Sequence, residues 1–548
     1  MREKIRLIIP SAKLVPAELQ NLGKLPAIIY PINQKIVFDY LFEQYYATCS
    51  GIDVICYEAA DKVHRRLSRY VSDKVSIKDL PVLGDLGHTI YYSLKEVSES
   101  VVINFADTIV FDDITKFSGD SFFYTEEYLS DTWTYYEMAN GEITSIYDKL
   151  DGTDSSEKKR FFVGVFMITD PQLFCSCLEE AFCNSDYGMS SFYYALCLYS
   201  KKRPLEEIHT NNWFDIGHAD TYNRSRIEVR AREFNQITVD RDRGIIRKSS
   251  EDKDKFIGEI LWYLKLPAAI EYVRPRIFEY STQYANPYVS MEYYAYHTVH
   301  ELFLYGDLSR NQWRDIFRRI LFVCKDFQKY RVAKGNNIIP DLEEMYLTKT
   351  LQRFDRLKKD KRFAAFFEHS MKINGKNYKS LDSICSILED VIPGFLYDVE
   401  EFCIIHGDLC FANIMIDSNF SFIKVIDPRG KFGSYDIYGD PRYELAKLFH
   451  SVDGKYDFII KDLFSVNYDI ENAEIQFSIL DRKRDYDLYT DFRDVFKAEI
   501  GEDLKKIELI EALLFLSMIP LHNENFSHQI VMLATGMEIL CRVVDITE

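Results

Sequence analysis

A chain of 548 residues is too long for one ordinary hydrophobic core, so two or more domains are expected. Hydrophobic residues make up 47% and charged residues 28%, a globular balance that excludes a largely disordered protein. The formal net charge of -19 repels phosphate backbones and argues against general nucleic-acid binding, while Mg²⁺ and a few local cations still allow nucleotide substrates.

The N-terminus leads into a short apolar run, Ile5 to Pro10, read as a buried strand and not a signal peptide. No apolar run of membrane-spanning length follows, so membrane insertion is not expected. Eleven cysteines without a regular framework fit a reducing cytoplasm; Cys175, Cys177 and Cys183 read as buried thiols, not metal ligands.

Strands are predicted at Ile5–Ile9, Asp53–Tyr57, Val101–Asn104, Phe161–Ile168 and Pro204–Ile208, with amphipathic helical stretches at Val37–Thr48 and Tyr91–Val97 between them. That alternation implies a mostly parallel α/β sheet. A hairpin interrupts it, Thr132–Met138 and Glu142–Tyr147 around the turn Asn140-Gly141, and the polar stretch Asp151 to Lys159 reads as a loop.

From about Phe234 the pattern changes. Ile237–Val239 and Gly244–Lys248 read as antiparallel strands, and a helix pattern runs from Lys253 to Leu264. Further helices are predicted at Asn311–Tyr330, Leu342–Lys358, Ser380–Leu388, Leu504–Met518 and Ser527–Val544. The expected domains are 1–232 and 233–548, joined without a low-complexity linker.

Within the second half, an apolar strand delivers His406-Gly407-Asp408, Asn413 follows five residues later, and Ile423–Ile426 is a strand ending at Asp427. Phosphoryl transfer asks mainly that phosphates, metal and acceptor be held in line. An Asp at the loop start can take the acceptor's proton, and an Asn and a second Asp can ligate Mg²⁺.

This spacing resembles the His-Gly-Asp-x-x-x-x-Asn loop of aminoglycoside phosphotransferases and choline kinases, and Gly439-Asp440-Pro441 with Glu444-Leu445-Ala446 resembles their next segment. The resemblance implies a bilobal, protein-kinase-like (α+β) domain that uses ATP and Mg²⁺ on a small alcohol or sugar. It implies Asp408 as catalytic base, Lys248 as phosphate grip with Glu259 as its partner, Asn413 and Asp427 as metal ligands, and Met291, Glu292 and Tyr293 against the adenine. Asp-Phe-Gly and Ala-Pro-Glu are absent, which argues against a protein substrate.

In the first half, Trp213-Phe214-Asp215-Ile216-Gly217 and the later Tyr222 resemble the closing motif of sugar-phosphate nucleotidyltransferases, and Asp107 follows a central strand. That resemblance, over about residues 3–226, implies a Rossmann-like (GT-A-like) domain in which Asp107 and Asp215 hold Mg²⁺ and CTP or UTP donates the nucleotidyl group. It implies Gly84 and Gly87 in a base-reading loop and Lys149 against the acceptor's phosphate. The family's opening Gly-rich loop is missing: Pro10 to Leu19 holds no glycine, and Lys13, Lys24 and Lys35 are the cations left to meet phosphates.

Together these imply a cytoplasmic bifunctional enzyme that phosphorylates a small alcohol or sugar and joins it to a nucleotide, in chemistry that serves capsule or other surface glycans. The alternative is a kinase whose N-terminal domain only binds nucleotide or sugar phosphate. A sensor without turnover is disfavoured by the retained Asp408, Asn413, Asp427, Asp107 and Asp215.

Overall fold

The computed structural model describes residues 4–33, 35–128, 133–148, 158–183, 189–233, 237–240, 243–332, 337–482 and 484–547, with side chains of 227–233 left aside. The chain divides into two compact units, Met1–Glu233 and Phe234–Glu548.

The first unit is built on a nine-stranded mixed sheet. Ser100–Asn104, Ile5–Ser11, Gly51–Cys56 and Val75–Asp79 lie side by side in that order, all parallel. Their β-branched runs are buried on both faces, as covered parallel strands require. Ile8, Ile55 and Ile103 point to a core shared with the helices Leu86–Leu94, Pro171–Phe182 and Ser191–Lys202, and the alternate residues Leu7, Val54 and Val102 point the other way.

The parallel order stops at Lys158–Ile168, which runs antiparallel to Ser100–Asn104. The sheet is therefore parallel over one half only, a correction to the mostly parallel reading. The Asn140-Gly141 turn does join the hairpin strands Tyr135–Ala139 and Glu142–Tyr147, with both residues at positive φ. Of the expected loop Asp151 to Lys159, residues 151–157 lie outside the described residues and Lys158 and Lys159 already belong to the strand; Thr132 also lies outside them. Cys175 and Cys177 are buried as expected, whereas Cys183, just past the end of its helix, is exposed.

The second unit opens with a four-stranded antiparallel sheet in the order Ile237–Asp240, Ile245–Ser249, Tyr288–Glu292, Ile277–Ser281. The helix Lys253–Lys265 packs on it: Asp252 caps it through the Lys255 N–H, and Phe256, Ile260 and Tyr263 form its apolar stripe. The remainder is mainly helical, with the largely buried helices Pro441–Val452, Leu504–Met518 and Phe526–Val543 at its centre.

A second four-stranded sheet, Lys376–Tyr378, Met371–Ile373, Glu474–Ile479 and Phe464–Asp469, was not expected. Two of its strands are three residues long, and the other two expose polar side chains, so no apolar run marks them. Among the described residues no helix is long and apolar enough to cross a membrane.

Candidate active sites

In the first unit, Asp107 and Asp215 are brought together by a short antiparallel ribbon in which Thr108 pairs with Asp215 and Val110 with Trp213. The turn before it is held by Asn104, fully buried, whose Nδ2 donates to the carbonyls of Phe105 and Thr108 and whose Oδ1 accepts from Tyr45. Ile216 N–H donates to the Asp107 carbonyl at 2.9 Å. Both carboxylates then come to Gly217: a Cβ there would lie 3.0 Å from Asp107 Oδ2 and 3.1 Å from Asp215 Oδ1.

Two carboxylates brought together beside one glycine suit a hard divalent cation such as Mg²⁺. Asp215 is oriented by the Gly217 N–H on Oδ1 at 2.8 Å and by Trp133 Nε1 on Oδ2 at 3.0 Å. The pair opens on a cavity of about 440 Å³ that is also lined by Ser11, Lys13, Gly84, Thr89, Trp133 and Asp148. That volume suits a small ligand.

The opening loop is shaped without glycine. Leu14 N–H donates to Glu58 Oε2 at 2.8 Å and Val15 N–H to the Leu25 carbonyl at 2.9 Å, so both amides are committed. Lys13 lines the cavity, but Lys24 and Lys35 do not. Lys35 Nζ is held by both oxygens of Glu43 at 2.9 Å, and exposed Lys24 gives its carbonyl to Lys62.

Gly84 lines the cavity, while Gly87 packs its helix on Ser191, where a Cβ would meet Oγ at 2.1 Å. Gly87 thus serves helix packing. Lys149 lies outside the described residues. Trp133 carried no motif signal, because only the hairpin's return to the sheet brings it to the cavity wall, where Asp148 at the hairpin's end also lies.

In the second unit, Lys248 Nζ bonds Glu259 at 2.9 and 3.0 Å and Asp427 Oδ1 at 2.7 Å. These two carboxylates outweigh the effect of burial and hold the Lys248 pKa above its ordinary value, so it stays charged. Asp427 sits at φ +56, and its N–H donates to the Tyr263 hydroxyl at 3.0 Å.

The His-Gly-Asp turn is pinned from below by Glu444, which accepts from the His406 N–H at 3.0 Å and the Gly407 N–H at 2.7 Å. His406 is fully buried, and its Nε2 bonds the Ile426 carbonyl at 2.9 Å, tying the Asp408 turn to the Asp427 strand. Burial pushes His406 down to about 4, so the ring is neutral and Nε2 carries the proton given to that carbonyl.

Asp408 is 41% exposed, and its Oδ1 lies 2.9 Å from Lys447 Nζ. Desolvation raises its pKa, but the Lys447 ammonium wins and holds it at about 2. Asn413 Nδ2 donates to the Asp408 carbonyl at 2.9 Å and to Oδ2 at 3.1 Å, an orientation that leaves Oδ1 to serve a cation. Lys447 was not anticipated; it reaches Asp408 from the helix Pro441–Val452, 39 residues downstream in sequence.

Met291 is buried in the sheet, and the Glu292 and Tyr293 N–H groups already donate to the Arg276 and Gly244 carbonyls at 2.9 and 2.8 Å. In this arrangement neither amide is available to a base.

No family model and no curated protein matches the chain. Solved structures similar to part of it include the CTP:phosphocholine cytidylyltransferase of Streptococcus pneumoniae, at 15% identity and TM-score 0.34, covering 41% of this chain and 99% of that one. HddC of Yersinia pseudotuberculosis is similar at 15% identity and TM-score 0.31, over 41% and 99% of the two chains. The inositol-1-phosphate CTP transferase of T. maritima is similar at 12% identity and TM-score 0.31, over 42% and 97%.

Proposed function

We propose that the chain is a cytoplasmic bifunctional activating enzyme. Its second unit moves the γ-phosphate of ATP onto the hydroxyl of a small alcohol or sugar. Its first unit joins that phosphomonoester to the α-phosphate of CTP or UTP and releases pyrophosphate, giving an NDP-linked precursor for a surface glycan.

The observation that carries the reading is Lys248, one ammonium held by Glu259 and Asp427, residues that lie far apart in sequence. An ammonium kept charged and in place by two carboxylates suits a phosphate grip. Asp408, ionised and partly exposed, is the group to accept the acceptor's proton. Asn413 and Asp427 would hold Mg²⁺, which when bound neutralises charge on the transferred phosphoryl group.

In the first unit Asp107 and Asp215 would hold Mg²⁺ against the α-phosphate, with Lys13 at the cavity wall for the other phosphates. The helix Leu86–Leu94 starts at the same wall, where its N-terminal dipole favours an anion.

The test is mass spectrometry on the purified protein with Mg²⁺, ATP, CTP, UTP and mixed small alcohols and sugars. A nucleoside-diphospho product that is lost in Asp107→Asn, with the phosphomonoester lost in Asp408→Asn, supports both activities.

A second reading has a specific observation in its favour. The Leu14 amide, which would face a phosphate, is occupied by Glu58. On that reading the first unit only binds nucleotide or sugar phosphate, and the phosphomonoester is the sole product in every variant that keeps Asp408.

A further inference from the structure

Around Asp408 and its partner Lys447 the second unit gathers Lys349, Arg353 and Arg429, which among the described residues pair with no carboxylate. Lys349 and Arg353 are one helical turn apart on Lys349–Leu357 and share a face. Tyr443 and Lys447 are likewise one turn apart on Pro441–Val452. Arg429 ties the second of these helices to the His-Gly-Asp turn, and its charge acts on Lys349 and Arg353 of the first. Its Nη1 donates to the Tyr443 hydroxyl at 3.0 Å, its N–H donates to the His406 carbonyl at 2.9 Å, and its Cβ lies 3.0 Å from where a Gly407 Cβ would stand.

Arg353 Nη1 donates to Ser517 Oγ at 3.0 Å, a neutral partner. Among the described residues no carboxylate pairs with Lys349, Arg353 or Arg429; Glu344, one turn before Lys349, is exposed and makes no ion pair with it. Burial, then the charges of Arg429, Arg353 and Lys447, push Lys349 down to about 6. Like charges gathered in a half-buried place cost stability, and in a chain of net charge -19 they do not arise from a general surplus of cations. The helix also carries an unusual feature here: residues Glu343–Thr348 are wound as a π-helix that ends immediately before Lys349. Such segments recur where a helix is re-aimed at a functional site.

We propose that the phosphoryl acceptor carries an anionic group, a phosphate or a carboxylate, which Lys349, Arg353 and Arg429 bind beside Asp408. This rests on the phosphotransferase reading and narrows its substrate class: a cationic amino alcohol or amino sugar is repelled from the cluster. In the transfer itself the acceptor oxygen bonds to the γ-phosphorus, the bond from that phosphorus to the β–γ bridging oxygen breaks, ADP leaves, and the hydroxyl proton passes to Asp408. Two contacts therefore fix the acceptor, its anion on the cluster and its hydroxyl on Asp408.

The experiment uses the full-length protein with Mg²⁺ and ATP. The acceptors are choline and glucosamine (cationic), glycerol and mannose (neutral), glycerate (a carboxylate), and glycerol 3-phosphate and glucose 1-phosphate (phosphates). Phosphorylation confined to the anionic group is expected, and comparing glycerate with the phosphates identifies which anion is read. In Lys349→Met and Arg353→Met the KM of that acceptor should rise about tenfold to a hundredfold with the KM of ATP unchanged. Lys349→Met should melt no lower than the wild type, because no ion pair is lost and burial with the neighbouring cations already disfavours the ammonium.

Preference for choline, glucosamine or a neutral alcohol overturns the inference, as does a rise in the KM of ATP alone. If no acceptor of the panel reacts, calorimetry with inorganic phosphate decides: binding lost in Lys349→Met supports the cluster, and equal heats in both proteins overturn it. Binding of a fluorescent ATP analogue separates the two levels. With ATP bound and a cationic acceptor preferred, only the anion inference falls; with no ATP bound by the wild type, the phosphotransferase reading falls and takes this inference with it.

Discussion

Gly430 lies backbone to backbone against Gly258: a Cβ on Gly430 would stand 2.1 Å from the Gly258 carbonyl oxygen. The contact seats the turn after Asp427 on the helix that carries Glu259, and so sets the distance that Lys248 spans between the two carboxylates.

Gly430→Ala should therefore both destabilise the second unit and impair phosphoryl transfer. Its φ of +66 alone costs an L-residue about 1–2 kcal/mol, and the clash adds to that. Gly244→Ala is the control, with a similar φ of +62 but open space around it. Denaturant unfolding should rank wild type, then Gly244→Ala, then Gly430→Ala, with ATP-dependent activity lost in the last alone. Equal losses in the two variants would show that the backbone contact does not matter.

A buried charge in the first unit makes a pH prediction. Asp53 is 1% exposed in the parallel strand Gly51–Cys56 and accepts from Lys78 at 2.9 Å, Ser76 at 2.7 Å, Ser93 at 2.9 Å and Arg6 at 3.3 Å. Burial alone would raise its pKa, but the Lys78, Ser76 and Ser93 bonds outweigh it and hold the carboxyl below its ordinary value. A carboxylate depressed on folding adds stability above its unfolded pKa, and that stability is lost as pH falls through the folded one. Asp53→Asn should cost roughly 1–3 kcal/mol at pH 7, since it leaves Lys78 without its anion. The gap between wild type and variant should shrink as the pH falls below about 4. Urea titrations across pH 3–7 read it directly, and a gap that stays constant would refute the linkage.

Elements with an apolar run were legible in the sequence. Ile5–Ser11, Gly51–Cys56 and the helix Lys253–Lys265 fall where periodicity predicts them, because burial of a continuous face demands such patterns. The order of the sheet was less legible: nothing local in Lys158–Ile168 says that it runs antiparallel to Ser100–Asn104. Short residue spacing singled out Asp408, Asn413 and Asp427 as candidates, and motif resemblance singled out Asp107 and Asp215. Partners supplied by packing, such as Lys447 on Asp408 and Trp133 on Asp215, were out of reach, since each depends on which helix or hairpin returns to the site. In this structure Lys35 makes an ion pair with Glu43 and Gly87 packs against Ser191, contacts that local chemistry did not announce.

Lys447 holds Asp408 ionised and, on the proposed phosphotransferase reading, sets the acid side of the pH profile. With the ammonium 2.9 Å away the carboxyl stays ionised down to about pH 2. In Lys447→Met burial is left to act, so the pKa should rise to the ordinary value near 3.9 or above it. The ionised form is the base, so the acid limb of kcat/KM should move to higher pH by roughly two units or more while the plateau keeps its base. Initial rates between pH 4 and 8 suffice, because the variant should lose activity at the acid end while the wild type holds it. Identical limbs in the two proteins would mean that another group governs the acid side.

Trp133 offers the most selective probe of the first unit. Its Nε1 donates to Asp215 Oδ2 at 3.0 Å, while its ring packs edge-on against Trp213, with centroids 5.3 Å apart. Trp133→Phe keeps the aromatic contact and removes the donor, so Asp215 retains its charge and the Gly217 N–H but loses one of the bonds that aim it. Loss of a partner that orients a metal ligand typically costs tenfold to a hundredfold in affinity or activity. The Mg²⁺ concentration for half-maximal pyrophosphate release should therefore rise about tenfold or more, with formation of the phosphomonoester from ATP unchanged. A matched drop in both reactions would point to a folding defect, and circular dichroism of the aromatic region separates that outcome from a weakened metal site. Unchanged Mg²⁺ dependence in a folded variant would mean that Asp215 is aimed by the Gly217 amide alone.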